Sequence, residues 1–202
     1  MTWAVTIVFL IAYYSAAIYF VRGVKLTTKN ICICGVMTAM TVALESIYIT
    51  LPTGATICLC SPVPLMLLAV LVDKRLTFIS GWLSGVIVLF LVPEWQLLNW
   101  AQFFVEHMVC LSCFGFTGVF GTDKRWKILC GMLLSFAVMF TGHLLSGVLF
   151  FSQYAWQGWG AWGYSLMYNL SQNVPLCLLS GIIVMALPLG TMRKALGKAG
   201  AA

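Results

Sequence analysis

The sequence predicts an all-α fold, a polytopic membrane helical bundle. Three observations carry this. First, 62% of its 202 residues are hydrophobic and only 8% are charged, against about 25% charged in an ordinary soluble domain. Second, the apolar residues fall in runs near the length of a membrane span. Third, all eleven Lys and Arg residues sit in a few short breaks between those runs. Such a chain cannot dress a water-facing surface, which excludes a soluble enzyme, a nucleic-acid binder and a disordered tail. The net charge of +6 therefore reports loop placement rather than a polyanionic partner, and no nucleic acid is expected. The length fits one compact domain.

A spanning helix needs about 20 apolar residues. Seven runs approach that length, at about 3–21, 31–51, 57–72, 76–92, 96–120, 127–151 and 163–189. The first lacks a basic start and a clear cleavage site, and basic residues follow it. It reads as a retained span rather than a signal peptide. The second carries Gly35, Ala39 and Ala43 at four-residue spacing, a small-residue row that admits a second helix closely. Packing within the bundle and docking of a partner subunit both fit that row. The third and fourth runs are short.

The breaks alternate in charge. Arg22, Lys25 and Lys29 follow the first run, Asp73, Lys74 and Arg75 the third, Asp123, Lys124, Arg125 and Lys127 the fifth, and Arg193, Lys194 and Lys198 the last. The breaks at Pro52–Thr56, Pro93–Glu94 and Ser152–Trp162 hold no Lys or Arg. The positive-inside rule then sets the amino terminus outside and the carboxyl terminus in the cytoplasm of a multi-pass cell-membrane protein. The outer break from Ser152 holds three Trp and one Tyr. An aromatic belt and a lid over an outward-facing pocket are both consistent with it.

Ionisable residues within spans are costly, about 2.5–3.5 kcal/mol for a charge at the bilayer centre, and so become functional candidates. They are Glu45, Glu106, His107 and His143, with Glu94 near an end beside Pro93 and Trp95 as a solvated outer residue. Asn99, Gln102 and Glu106 are spaced by three and four on the fifth run, which puts them on one helical face. His107 is turned from them by about 100°. The last run carries Ser165, Asn169, Gln172 and Asn173, flanked by Tyr164 and Tyr168. At a rise of about 1.5 Å per residue, Glu106 lies about 15 Å deep, His143 about 12 Å and Asn169 about 9 Å, with Tyr164 near the mouth. Polar groups from three helices at overlapping depth describe a small-molecule pocket. Interhelical hydrogen bonding alone would use the same residue types. The eight Cys read as small packing residues. Cys110-x-x-Cys113 lacks the second ligand pair of a metal site. Neither a metal nor a cofactor is expected.

The segment HLLSGVLFFSQYAWQGWGAWGYSLMYN, His143 to Asn169, resembles the thiamine-specific S-component of energy-coupling factor (ECF) vitamin transporters, the ThiT family. AQFFVEHMVCLSCFGFTGVF, Ala101 to Phe120, resembles the same family's glutamate-bearing helix. SPVPLMLLAVLVDKR and the small-residue row resemble it more loosely. The likeness spans about residues 30–190. It implies a six-helix S-component-like domain over 25–192, an extra N-terminal transmembrane helix over 1–24, and a cytoplasmic tail over 193–202. It implies a vitamin-capturing subunit that joins a transmembrane coupling protein and two ATPase subunits, and is not itself an enzyme. The sequence holds no G-x-x-x-x-G-K-[ST] phosphate loop. By resemblance, Glu106 and Asn169 hold the aminopyrimidine, His143 and Tyr164 line the same pocket, and Gly35, Ala39 and Ala43 contact the coupling protein. Phe151, Tyr164 and Trp159 are candidates to face the thiazolium cation, with Gln102 and His107 beside Glu106.

The chain also departs from the family. Phe151 stands where the family usually has tryptophan, and His107 where a tyrosine follows the glutamate. Pro52–Thr56 lacks the usual aromatic residue, and Glu45 and the first span are additions. A proton-coupled secondary transporter of a small heteroaromatic solute, using Glu45, Glu106, His107 and His143 as a relay, is the alternative.

Overall fold

The computed structural model describes residues 2–92 and 97–198. Pro93, Glu94 and Trp95 lie outside the described residues. Helical rods follow one another in the order of the apolar runs, and the fold is all-α apart from one short hairpin. α1 spans Thr2–Val21 and α2 Thr28–Glu45. Thr27 caps α2, its hydroxyl accepting from the Asn30 amide at 3.2 Å. α3, Pro62–Leu68, runs into a π-helical turn, Ala69–Asp73. α4 is Lys74–Leu91, capped by the Asp73 carboxylate, which accepts from the Arg75 amide at 2.8 Å. The next rod is composite: α5 at Trp100–Gln102, a π-helical segment at Phe103–Met108, α6 at Val109–Ser112 and a 3-10 end at Cys113–Gly118. α7, Arg125–Phe150, and α8, Ala161–Ala186, are the longest helices, and α9 is Leu189–Lys198.

Among the described residues, α1, α7 and α8 are each long and apolar enough to cross a membrane. The outer faces of the bundle are apolar too: Val8, Phe90, Trp100 and Ile182 are 65–78% exposed. A patch of that kind is stable against lipid, not water. The core lies between α3, α4, α7, α8 and the composite rod, around Leu65, Met66, Phe78, Phe114 and Ile128. Several of the small hydroxyls buried at the helix contacts bond locally. Ser84 donates to the Ser80 carbonyl at 2.8 Å, and Thr117 and Ser135 meet at 3.2 Å. This is the usual economy of helices packed in lipid.

The cationic breaks gather at one end. Arg193 donates to the carbonyls of Val70 and Thr122, at 3.2 and 2.6 Å, and Arg125 to those of Met185 and Leu187. A Cβ on Gly23 would lie 3.9 Å from the Arg75 guanidinium, which brings the first break to the same end.

Several boundaries differ from the sequence reading. The second run stops being helical at Glu45, and the third does not start at 57. Between them, β1 (Tyr48–Thr50) pairs antiparallel with β2 (Thr56–Cys58), Ile49 opposite Ile57. Apolar composition does not distinguish short strands from the ends of helices. Gly54, at φ +84°, supplies the turn. Asn99 does not continue a helical stripe. It is the cap of the composite rod, its side chain accepting from the Gln102 amide at 2.9 Å, while Gln102 Oε1 accepts from the Leu98 amide at 2.7 Å. The expected tail from 193 is helical through Lys198, because α9 restarts after Pro188.

α4 approaches the composite rod through a glycine. A Cβ on Gly85 would lie 2.5 Å from the His107 carbonyl oxygen. Gly85→Val therefore forces two backbones apart, a cost of about 1–3 kcal/mol or more. The expected result is a fall of roughly 2–12 °C in the melting temperature of the purified protein. An unchanged melting temperature would contradict this close approach.

Candidate functional site

A cavity of about 560 Å³ opens between α7, α8, the composite rod and the β1–β2 hairpin. Glu106 is among the residues that line it. The Gln102 amide donates to Glu106 Oε2 at 3.0 Å, and the Ser146 hydroxyl donates to the same oxygen at 2.8 Å. Glu106 Oε1 faces His143 Nδ1 at 3.5 Å. Gln102 reaches Glu106 because the two are four residues apart. Ser146 reaches it because it lies three residues beyond His143 on α7, on the same face.

α8 brings the amide. Asn169 Nδ2 donates to the Ser165 carbonyl at 2.8 Å and to the His143 carbonyl at 3.3 Å. Both protons of that nitrogen are thereby engaged, so Oδ1 is the atom Asn169 has left to offer. Ser165 donates to the Leu144 carbonyl at 2.8 Å. This close seam exists because α7 carries Gly147, where a Cβ would lie 2.2 Å from Ser165 Oγ.

The mouth is aromatic. Phe151, Tyr154, Trp156, Tyr164 and Tyr168 line it. Trp156 meets Tyr164 edge to face at 5.2 Å, and Tyr164 meets Tyr168 at 5.6 Å. The hairpin is fastened to α8 by Tyr168, whose hydroxyl donates to the Gly54 carbonyl at 3.1 Å, and by a 3.1 Å contact between the hydroxyls of Thr53 and Ser171.

Glu106, His143, Tyr164, Asn169, Phe151, His107 and Gln102 thus all line one cavity. Trp159 does not. It is 45% exposed and packs edge to face behind Trp156 at 5.3 Å. The turn from Trp156 to Trp159, closed by a 2.8 Å backbone bond with Gly158 at φ +81°, decides which indole points inward. The sequence reading named Trp159, whereas the indole that lines the cavity is that of Trp156. It also did not assign Ser146, Trp156, Tyr168 or Gln172 to the site, although the His143–Ser146 spacing carried a signal for the first. Glu45, read as a functional candidate and as an addition to the family pattern but not assigned to the binding site, lines the same cavity from the end of α2 and is 4% exposed. Two acidic residues, Glu45 and Glu106, two histidines and, among the described residues, no Lys or Arg line the cavity.

Gly35, Ala39 and Ala43 lie elsewhere. They are exposed and, with Leu83, Ile87 and Leu91 of α4, line a shallow apolar groove on the outside of the bundle. The cysteine pair of the composite rod packs locally, Cys113 donating to the Cys110 carbonyl at 3.2 Å.

Residues 31–196 match the family model for the thiamine transporter protein, Thia_YuaJ. The chain belongs to that family. It is 21% identical over 164 residues to the thiamine transporter ThiT of Bacillus subtilis (strain 168), covering 74% of this chain and 84% of that protein. Its fold is similar to the solved structure of ThiT from Listeria monocytogenes, with a TM-score of 0.72 and 25% identity over 82% of this chain and 95% of the other. Family membership and the lipid-facing apolar helices make this a multi-pass membrane transport protein for vitamin uptake. The family match begins after α1, so the first helix is outside it.

Proposed function

We propose that the chain is the substrate-binding S-component of an ECF-type importer and captures thiamine at the Glu106 cavity. The observation that carries this is the buried carboxylate held by Gln102 and Ser146 beside His143, in a cavity whose mouth is aromatic. Thiamine has two ends that suit such a site. Its aminopyrimidine offers donor and acceptor atoms, which the Glu106 carboxylate and Asn169 Oδ1 pair with. Its thiazolium is a permanent cation, attracted to aromatic faces by about 0.5–2 kcal/mol per contact. Phe151, Tyr164 and Trp156 supply those faces, and Glu45 and Glu106 supply the balancing charge.

In this reading residues 25–192 form the binding domain and α1 is an addition to it. The coupling protein docks at Gly35, Ala39 and Ala43, and two ATPase subunits supply the energy. The cavity opens outward and the cationic end of the bundle faces the cytoplasm, as the positive-inside rule directs. The bundle therefore has its amino terminus outside.

The test is a titration of the purified chain followed by tryptophan fluorescence, since Trp156 lines the cavity. Thiamine is expected to quench saturably. Thiamine monophosphate should bind at least about tenfold more weakly, because like charges set against each other in a confined site are costly. Absence of quenching by thiamine, or equal affinity for the phosphate ester, overturns the proposal.

A further inference from the structure

The N-terminal helix meets the binding machinery at two adjacent residues. The Tyr14 hydroxyl donates to the Phe104 carbonyl at 2.9 Å. The Tyr13 hydroxyl lies 2.5 Å from Ser112 Oγ, and Ser112 in turn donates to the Met108 carbonyl. Ser112 has one proton and gives it to Met108, so Tyr13 is the donor to Ser112. Phe104 and Met108 are near the start and at the end of the π-helical segment Phe103–Met108, and Glu106 lies between them.

Such a segment carries one more residue per hydrogen-bonded turn than an α-helix. It persists in short pieces, often at functional sites. Its rotation fixes where the Glu106 carboxylate points. From one side α4 presses on it through Gly85, against the His107 carbonyl. α1 bonds the Phe104 carbonyl directly and reaches the Met108 carbonyl through Ser112. Packing alone does not require the two hydroxyls. Tyr13 packs its ring edge to face on Phe116 at 6.0 Å, and Tyr14 on Phe104 at 6.5 Å, contacts that phenylalanine would keep. Apart from Thr6, Tyr13 and Ala17, none of α1 is buried.

We propose that α1 is a positioning brace for the binding site: Tyr14, directly at Phe104, and Tyr13, through Ser112 at Met108, hold the π-helical segment and so keep Glu106 aimed into the cavity. This rests on the reading of that cavity as the thiamine site. Tyr13 and Tyr14 are positioning residues that act through Glu106 without lining the cavity themselves.

The test compares the full chain with Tyr13→Phe/Tyr14→Phe. Without ligand, hydrogen–deuterium exchange of amides 103–108 is expected to quicken in the double variant, while exchange within α7 is unchanged. Unchanged exchange at 103–108 overturns the brace, whatever the ligand. With thiamine, the double variant should bind about fivefold more weakly. The same pair of substitutions in a Glu106→Gln background should change affinity by less than about twofold, because the group being aimed is gone. Equal losses in both backgrounds mean a general loosening and overturn the proposal. An unchanged affinity in the double variant, with Glu106→Gln still weakened, overturns it while leaving the cavity assignment standing. Failure of wild type to bind thiamine sinks that assignment instead, and the exchange comparison then decides the brace alone.

Discussion

Glu106→Gln weakens thiamine binding about a hundredfold or more, read as the shift in the midpoint of tryptophan quenching. The size follows from what the carboxylate does in place. One oxygen already accepts from Gln102 and Ser146, which leaves Oε1, at 3.5 Å from His143, as the more available acceptor. A hydrogen bond to a charged group contributes about 1.5–3 kcal/mol. The ligand gains such a bond from the aminopyrimidine together with the charge balance for its cation. Loss of about 3 kcal/mol is a factor of more than 100. Glutamine is nearly isosteric but has one acceptor oxygen where two were used. Its own NH₂ would face either the Gln102 amide or the ligand's donor, so a polar group is left unmatched in a confined site. Ser146→Ala, which removes only one supporting donor, should cost less. A Glu106→Gln affinity within about threefold of wild type would remove the carboxylate from the site.

Much of this arrangement was legible in the residues. Glu106 and Gln102 lie one turn apart and His143 stands among apolar neighbours, while Tyr164 with Tyr168 and Ser165 with Asn169 fall at four-residue spacing. A polar group inside an apolar run has to face something other than lipid, and few destinations exist in a bundle this small. What the residues could not show was phase. The π-helical segment adds a residue within the very turn that carries Glu106 and His107, and nothing in FFVEHM marks it. The hairpin was hidden for another reason. Ile47, Ile49, Ile57 and Leu59 are as apolar as the helices around them, so composition ran straight through two strands. Trp156 and Trp159 could not be ranked either, because a single glycine of positive φ sets which indole turns inward. α9 was hidden by its charges, which read as a solvated tail although Leu189 is buried at its start.

The second large effect separates transport from binding. If the chain works in the proposed ECF-type importer, Ala39→Phe is expected to leave thiamine affinity within about twofold of wild type and to reduce ATP-driven uptake at least about tenfold. α2 has two faces with different tasks. Thr38, Thr41, Val42 and Glu45 are buried, and Glu45 reaches the cavity wall. Gly35, Ala39 and Ala43 look outward over an apolar groove shared with Leu83, Ile87 and Leu91. A Cβ on Gly35 would meet nothing within 4 Å, so the row is not consumed by packing within the chain. Small residues in such a row let two helix backbones approach closely, and that contact energy comes from van der Waals fit rather than from hydrophobic exclusion of water. A phenyl ring at position 39 fills the groove and holds a partner helix off, while pointing away from the cavity. Because Ala39 and Glu45 are six residues apart, about 9 Å along one helix, the same rod touches both the proposed docking groove and the cavity. Uptake that persists in Ala39→Phe would free the groove from any role in coupling. A parallel loss of affinity would mean instead that position 39 supports the bundle itself.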